Sequence, residues 1–210
     1  MSLTQPVSRE YNLPIIREIP FSLSREYCDS LIEKFEQSDE TYQGFVGNSI
    51  VDKNIKNSID LRLDGPSWGE DTYILTQKLN DAADAWMREH HRMVNVTFPN
   101  GKVAFSGYQI QKTVPGKTGY VWHSDEAYFD LDETPMRRYV TYLWYLNDND
   151  GYTEFLDRKV KPEAGKLLLF FADPSLIHRG IPPTTGVKYI LTGWISTERF
   201  TLNSVSIGDN

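Results

Sequence analysis

Apolar positions recur with helical spacing in two stretches of the first half of the chain. Ser24 precedes a segment in which Tyr27, Cys28, Leu31, Ile32 and Phe35 fall at i, i+3 and i+4 intervals. That pattern predicts an amphipathic helix capped by the serine side chain. From about residue 70 to 93, Ile74, Leu75, Leu79, Ala82, Ala83, Trp86 and Met87 repeat the same stripe. Such stripes are most simply helices laid on a sheet. After residue 100 the period changes. Segments 103–112, 139–146, 166–171 and 187–196 are rich in strand-favouring residues and are separated by Pro, Gly, Asn and Asp, which predicts strands. Nothing between them suits a long crossover helix, so antiparallel pairing is expected and a parallel sheet is disfavoured. The expected fold class is mainly β with N-terminal helices (α+β): one domain, with 1–100 as helical support and 101–200 as a jelly-roll core.

Composition narrows the partners more than the fold. The chain has 210 residues, 40% hydrophobic and 13% aromatic, enough to bury roughly 70% of its unfolded surface. A net charge of −7 argues against a general nucleic-acid binder, which needs basic surface to release counterions. A basic pocket for a small anion remains compatible with that balance. Cys28 is the single cysteine, so no internal disulfide or cysteine-rich zinc site is expected, and it reads as a buried apolar thiol. Residues 1–9 are polar, without the apolar run of a secretory signal. No stretch approaches the roughly 20 apolar residues of a membrane span. The expectation is a soluble, cytoplasmic protein with no membrane partner.

The sharpest chemical signal is Gly119-Tyr120-Val121-Trp122-His123-Ser124-Asp125. On a strand, positions i and i+2 share a face, so His123 and Asp125 can converge on one ion. Two histidines and a carboxylate form a facial triad that suits Fe(II) and leaves coordination positions open. The other histidines are His90, His91 and His178. His90 and His91 adjoin in a helical stretch, where consecutive side chains diverge by about 100°, which leaves His178 as the third candidate ligand. Ten residues further on, Lys188 alternates with Ile190, Thr192 and Trp194 along one strand face. A lysine on such a face needs an anion to offset its desolvation, unless it snorkels at an edge.

The ordered motifs from about residue 103 to 197 resemble the prolyl 4-hydroxylase branch of the 2-oxoglutarate/Fe(II) oxygenases. They are Pro115-Gly116-Lys117-Thr118-Gly119-Tyr120-Val121-Trp122-His123-Ser124-Asp125, then Arg138-Tyr139-Val140-Thr141-Tyr142-Leu143-Trp144-Tyr145-Leu146-Asn147 and Gly151-Tyr152-Thr153-Glu154-Phe155. After these come the apolar run 167–171, His178 and Gly186-Val187-Lys188-Tyr189. The resemblance implies a double-stranded β-helix with iron held by His123, Asp125 and His178. It implies that Lys188 pairs with the distal carboxylate of 2-oxoglutarate. Tyr145 lies where such enzymes often place a co-substrate hydroxyl partner, although a core tyrosine explains it too. Trp194 packs beside the iron or is purely structural, and Tyr120 lines the pocket or braces the metal strand.

Two departures from the family pattern concern the substrate more than the reaction. Only Gly151-Tyr152 stands where a glycine pair is common, and Val114 replaces a tyrosine often found ahead of the Pro-Gly turn. Tyr108 or Tyr145 would then compensate as a co-substrate contact.

The implied function is a dioxygenase using Fe(II), 2-oxoglutarate and O2, supported by ascorbate, that hydroxylates a prolyl residue of a peptide or protein. The alternatives are hydroxylation of a free amino acid or other small molecule, a metal-dependent cupin-like enzyme without 2-oxoglutarate, and a non-catalytic jelly-roll binding domain. Segment 126–137, with Asp130, Asp132 and Glu133, reads as a lid over the substrate or a solvated loop. Arg137 and Arg138 would meet an acidic substrate group or form surface ion pairs.

Overall fold

Ser24 caps the first helix as its side chain predicts: Oγ accepts from Tyr27 N at 3.2 Å, and α1 runs Arg25–Glu36. Its buried stripe is Cys28, Leu31 and Phe35. The second helix, α2 (Gly69–Val94), follows a 3₁₀ turn at Pro66–Trp68. The computed structural model describes residues 15–47, 49–94 and 103–198, and for 90–94 the backbone alone. Residues 1–9, read from the sequence as lacking a secretory signal, lie outside the described residues. No described helix is long and apolar enough to cross a membrane.

The strands are β1 (Ile16–Ile19), β2 (Tyr42–Gln43), β3 (Ile59–Arg62), β4 (Val103–Phe105), β5 (Gln109–Thr113), β6 (Tyr120–His123) and β7 (Tyr128–Leu131). They continue as β8 (Thr134–Tyr145), β9 (Thr153–Phe155), β10 (Lys159–Val160), β11 (Leu167–Phe171), β12 (His178–Gly180) and β13 (Lys188–Glu198). A large sheet runs β1-β11-β8-β13-β5-β3-β2, with β4 on β13 and β7 on β8; a small sheet runs β10-β9-β12-β6. Every pairing between these strands is antiparallel.

Period two divides the large sheet between two cores. Tyr142 and Trp144 on β8, and Leu146 just past its end, turn towards the helices, where they join Leu31, Phe35, Leu75 and Leu79 in one core. Leu143 and Tyr145 turn the other way, onto Phe155 of the small sheet. On β11, Leu167 and Leu169 join the first core while Leu168 and Phe170 join the second. A strand covered on both faces reads as an unbroken apolar run, which is why Leu167-Leu168-Leu169-Phe170-Phe171 stands out in the sequence. Burying each such side chain contributes about 1.5–3 kcal/mol, so these strands form the rigid floor of the site.

The structure corrects two expectations and gives segment 126–137 a regular form. The first hundred residues are not a helical layer ahead of the sheets: β1 precedes both helices, β2 and β3 lie between them, and all three join the large sheet. Those strands have only two to four residues, too few for alternation to register. The strand expected over 103–112 is broken into β4 and β5 around Gly107, whose φ is +77°. Segment 126–137 contains a hairpin, β7 to β8, turning at Asp132 and Glu133 with φ of 48° and 63°. Two consecutive positive φ values are the signature of a turn whose twist matches the flanking strands.

Candidate active site

The small sheet carries the two histidines. His123 ends β6, and His178 opens β12 directly opposite it, with ring centroids 4.3 Å apart. β6 ends at His123, so Asp125 reaches the site from the loop beyond rather than by strand alternation. Asp125 Oδ1 lies 3.6 Å from His123 Nε2, and Oδ2 lies 3.6 Å from His178 Nε2. All three ligand atoms lie within 4.8 Å of one another. These separations are long for hydrogen bonds and suit three atoms that each approach a common ion at about 2 Å.

The surroundings prepare each ligand. His123 Nδ1 donates to Val121 O at 2.7 Å and His178 Nδ1 to Leu176 O at 3.1 Å. Those bonds fix the tautomer and leave both Nε2 lone pairs facing Asp125. Burial, followed by the nearby His178, lowers the His123 pKa to about 4, so the ring is neutral and able to ligate. Burial raises the Asp125 pKa, but His178, His123, a hydrogen bond from Thr141 and the charge of Arg138 together outweigh it and hold the carboxyl below its ordinary range. Tyr120 stacks on His123 at 3.6 Å between centroids. The donor set fits a divalent iron, and no zinc-type thiolate is among its members.

The triad opens onto a cavity of about 450 Å³. Lys188, Ile190, Thr192 and Trp194 all line it, as period two along β13 predicts. Lys188 is buried, and its Nζ donates to Tyr152 O at 3.0 Å and Ile181 O at 3.3 Å. It forms no ion pair with a described carboxylate. Burial alone lowers its pKa to about 7.

The tyrosines are arranged differently. Tyr145 is fully buried and gives its hydroxyl to Thr153 Oγ1 at 2.7 Å; Thr153, not Tyr145, faces the cavity. Tyr108 lines the cavity, but its hydroxyl lies 2.9 Å from Thr76 Oγ1. The Thr76 hydrogen is committed to Thr72 O, so Tyr108 donates to Thr76, away from the triad. His90 and His91 fall within α2, and their side chains lie outside the described residues.

The roles of Thr141 and of the Asp60 network escape the sequence reading, whereas Arg138 and Trp194 are named in it. Thr141 Oγ1 donates to Asp125 Oδ2 at 2.7 Å; its alternation on β8 was the available signal. The Arg138 guanidinium lies 3.5 Å over the Trp194 ring and lines the cavity, whereas Arg137 lies over Tyr139. Trp194 Nε1 is buried with no hydrogen-bond partner among the described residues. Asp60 accepts from Lys56, Ser58 and Gln109 at 2.6, 2.6 and 2.5 Å, and this buried network braces one side of the cavity. Gln109 is 49 positions from Asp60, a pairing no local pattern announces.

Two antiparallel sheets enclose a two-histidine, one-carboxylate triad, a jelly-roll arrangement whose donor set fits a divalent transition metal. The family model of the 2OG-Fe(II) oxygenase superfamily matches residues 108–196. A protein of Acanthamoeba polyphaga mimivirus named "Putative prolyl 4-hydroxylase" is 27% identical over 169 residues, covering 72% of this chain. The chain spans 63% of the length of that curated relative. Among solved structures, the viral collagen prolyl hydroxylase of Paramecium Bursaria Chlorella virus-1, in its 2OG complex, aligns with a TM-score of 0.62 at 24% identity, over 87% of this chain and 96% of that one. A Trichoplax adhaerens prolyl hydroxylase in complex with a hypoxia inducible factor peptide gives 0.64 at 18%, over 88% and 84%. A Pseudomonas putida prolyl-4-hydroxylase gives 0.62 at 20%, over 88% and 92%. At these identities the structural likeness speaks to the fold.

Proposed function

We propose that this protein is a 2-oxoglutarate- and Fe(II)-dependent dioxygenase that hydroxylates a prolyl residue in a peptide or protein. The observation that carries the reading is the placement of His123, Asp125 and His178 in the same cavity as Lys188, a buried cation without a carboxylate partner. The relatives it resembles by sequence and by fold are prolyl hydroxylases.

In this reading His123 Nε2, Asp125 and His178 Nε2 hold the iron, and Lys188 pairs with the distal carboxylate of 2-oxoglutarate. When bound, the iron and co-substrate supply the activation of dioxygen and the oxidation of a substrate C–H bond. The protein's own residues hold and orient. Val121 O and Leu176 O fix the imidazoles, and Thr141 fixes the carboxylate. Phe170 and Leu143 give the cavity an apolar wall that limits water. Arg138 lines the cavity as a donor for an acceptor oxygen of the substrate. The same reading takes the protein as one soluble, cytoplasmic domain, with ascorbate sustaining turnover.

The test is incubation with Fe(II), ascorbate, oxygen and 2-oxoglutarate against proline-containing peptides and free amino acids, followed by mass spectrometry. A gain of one oxygen on a prolyl residue is expected. Oxygen appearing only on a free amino acid would replace the peptide substrate with a small molecule.

A further inference from the structure

We infer that Gln111 and Thr113 on β5 are co-substrate-binding residues that, with Lys188, hold the distal carboxylate of 2-oxoglutarate. This inference rests on the 2-oxoglutarate reading above. Thr113 stands directly opposite Lys188 on the paired strands β5 and β13, and Gln111 stands opposite Ile190. Residues opposite each other in an antiparallel pair share a face. The alternation confirms the direction: Ile110 enters the helix-side core and Lys112 pairs with Glu36, whereas Gln109, Gln111 and Thr113 all line the cavity.

The three polar groups on this face are not equivalent. Gln109 has committed its amide to Asp60. No hydrogen bond from the side chain of Gln111 or Thr113 to another described residue is present. The two tyrosines otherwise suited to the task have given their hydroxyls to Thr153 and Thr76. A carboxylate set beside Lys188 has more lone pairs than one ammonium fills. The uncommitted donors on the facing strand are the Thr113 hydroxyl and the Gln111 amide.

The probes are 2-oxoglutarate and oxalate, titrated by calorimetry into the Mn(II)-loaded protein. Oxalate can chelate the metal but has no distal carboxylate. Thr113→Val and Gln111→Leu should each raise the Kd for 2-oxoglutarate roughly tenfold, the scale of one hydrogen bond to a charged group. Both should leave Mn(II) and oxalate affinity and Tm unchanged, and Thr113→Ser should restore binding. The milder Gln111→Asn, which keeps the amide on a shorter stem, reports on that position should Gln111→Leu fail to fold. Unchanged 2-oxoglutarate affinity in the folded variants, or an equal loss for oxalate, overturns the assignment. Oxalate but not 2-oxoglutarate binding to the unmodified protein instead defeats the co-substrate reading itself.

Discussion

Thr141 Oγ1 donates to Asp125 Oδ2 at 2.7 Å, joining the large sheet to the carboxylate of the proposed metal site. Both residues are buried, so the bond is not shared with bulk water, and it leaves Oδ1 facing His123. Partners of this kind orient a metal ligand, and their loss costs on the order of 10–100-fold in metal affinity or activity. Thr141→Val, nearly the same shape without the hydroxyl donor, should weaken Mn(II) or Fe(II) binding by that factor with little change in fold. Metal titration followed by fluorescence or calorimetry checks it, and equal affinity would remove Thr141 from the site's support.

Lys188 sets a pH dependence. Burial lowers its pKa to about 7, and a bound carboxylate would raise it again. Below pH 7 the ammonium is already charged, so binding a dicarboxylate takes up no proton. Above pH 7 binding must recharge it, so affinity falls as pH rises, by up to about tenfold per unit. Calorimetry of 2-oxoglutarate with the Mn(II)-loaded protein, in two buffers of different ionisation enthalpy, should show proton uptake at pH 8 and little at pH 6. Affinity that is flat between those values, without proton uptake, would contradict the assigned role.

Gly193 explains a break in the apolar pattern of β13. A Cβ there would overlap the Tyr142 hydroxyl and the Gly107 carbonyl, which are themselves hydrogen-bonded at 2.6 Å. Gly193→Ala should therefore strain the strand that carries Lys188 and Trp194. Overpacking of this sort costs about 1–3 kcal/mol, which for a chain of this size lowers Tm by roughly 2–4 °C per kcal/mol. A thermal melt reads it directly; an unchanged Tm would mean that β13 can yield at this point.

The features legible in the sequence are those set by short-range periodicity. The Ser24 cap, the two helical stripes, the apolar run of β11 and the shared face of Lys188, Ile190, Thr192 and Trp194 all follow from spacings of 3.6 or 2. His123, Asp125 and His178 could be named together, but the reason given for Asp125 was incomplete, since it leaves the strand before reaching the site. Illegible features depend on neighbours distant in sequence. Strands of two to four residues gain stability from the sheet they join rather than from their own pattern. The Asp60 network joins residues up to 49 positions apart. The commitments of Tyr145 and Tyr108 depend on Thr153 and Thr76, partners that composition cannot identify.

The central claim is that the triad and Lys188 form one iron- and 2-oxoglutarate-using centre. The most direct measurement is succinate released from 2-oxoglutarate by the purified protein with oxygen and ascorbate, with and without Fe(II). Succinate is expected only with Fe(II), at least as slow turnover without a prime substrate, and is expected to be lost in His178→Ala. A well-folded protein that neither binds 2-oxoglutarate in the presence of metal nor yields succinate would contradict it.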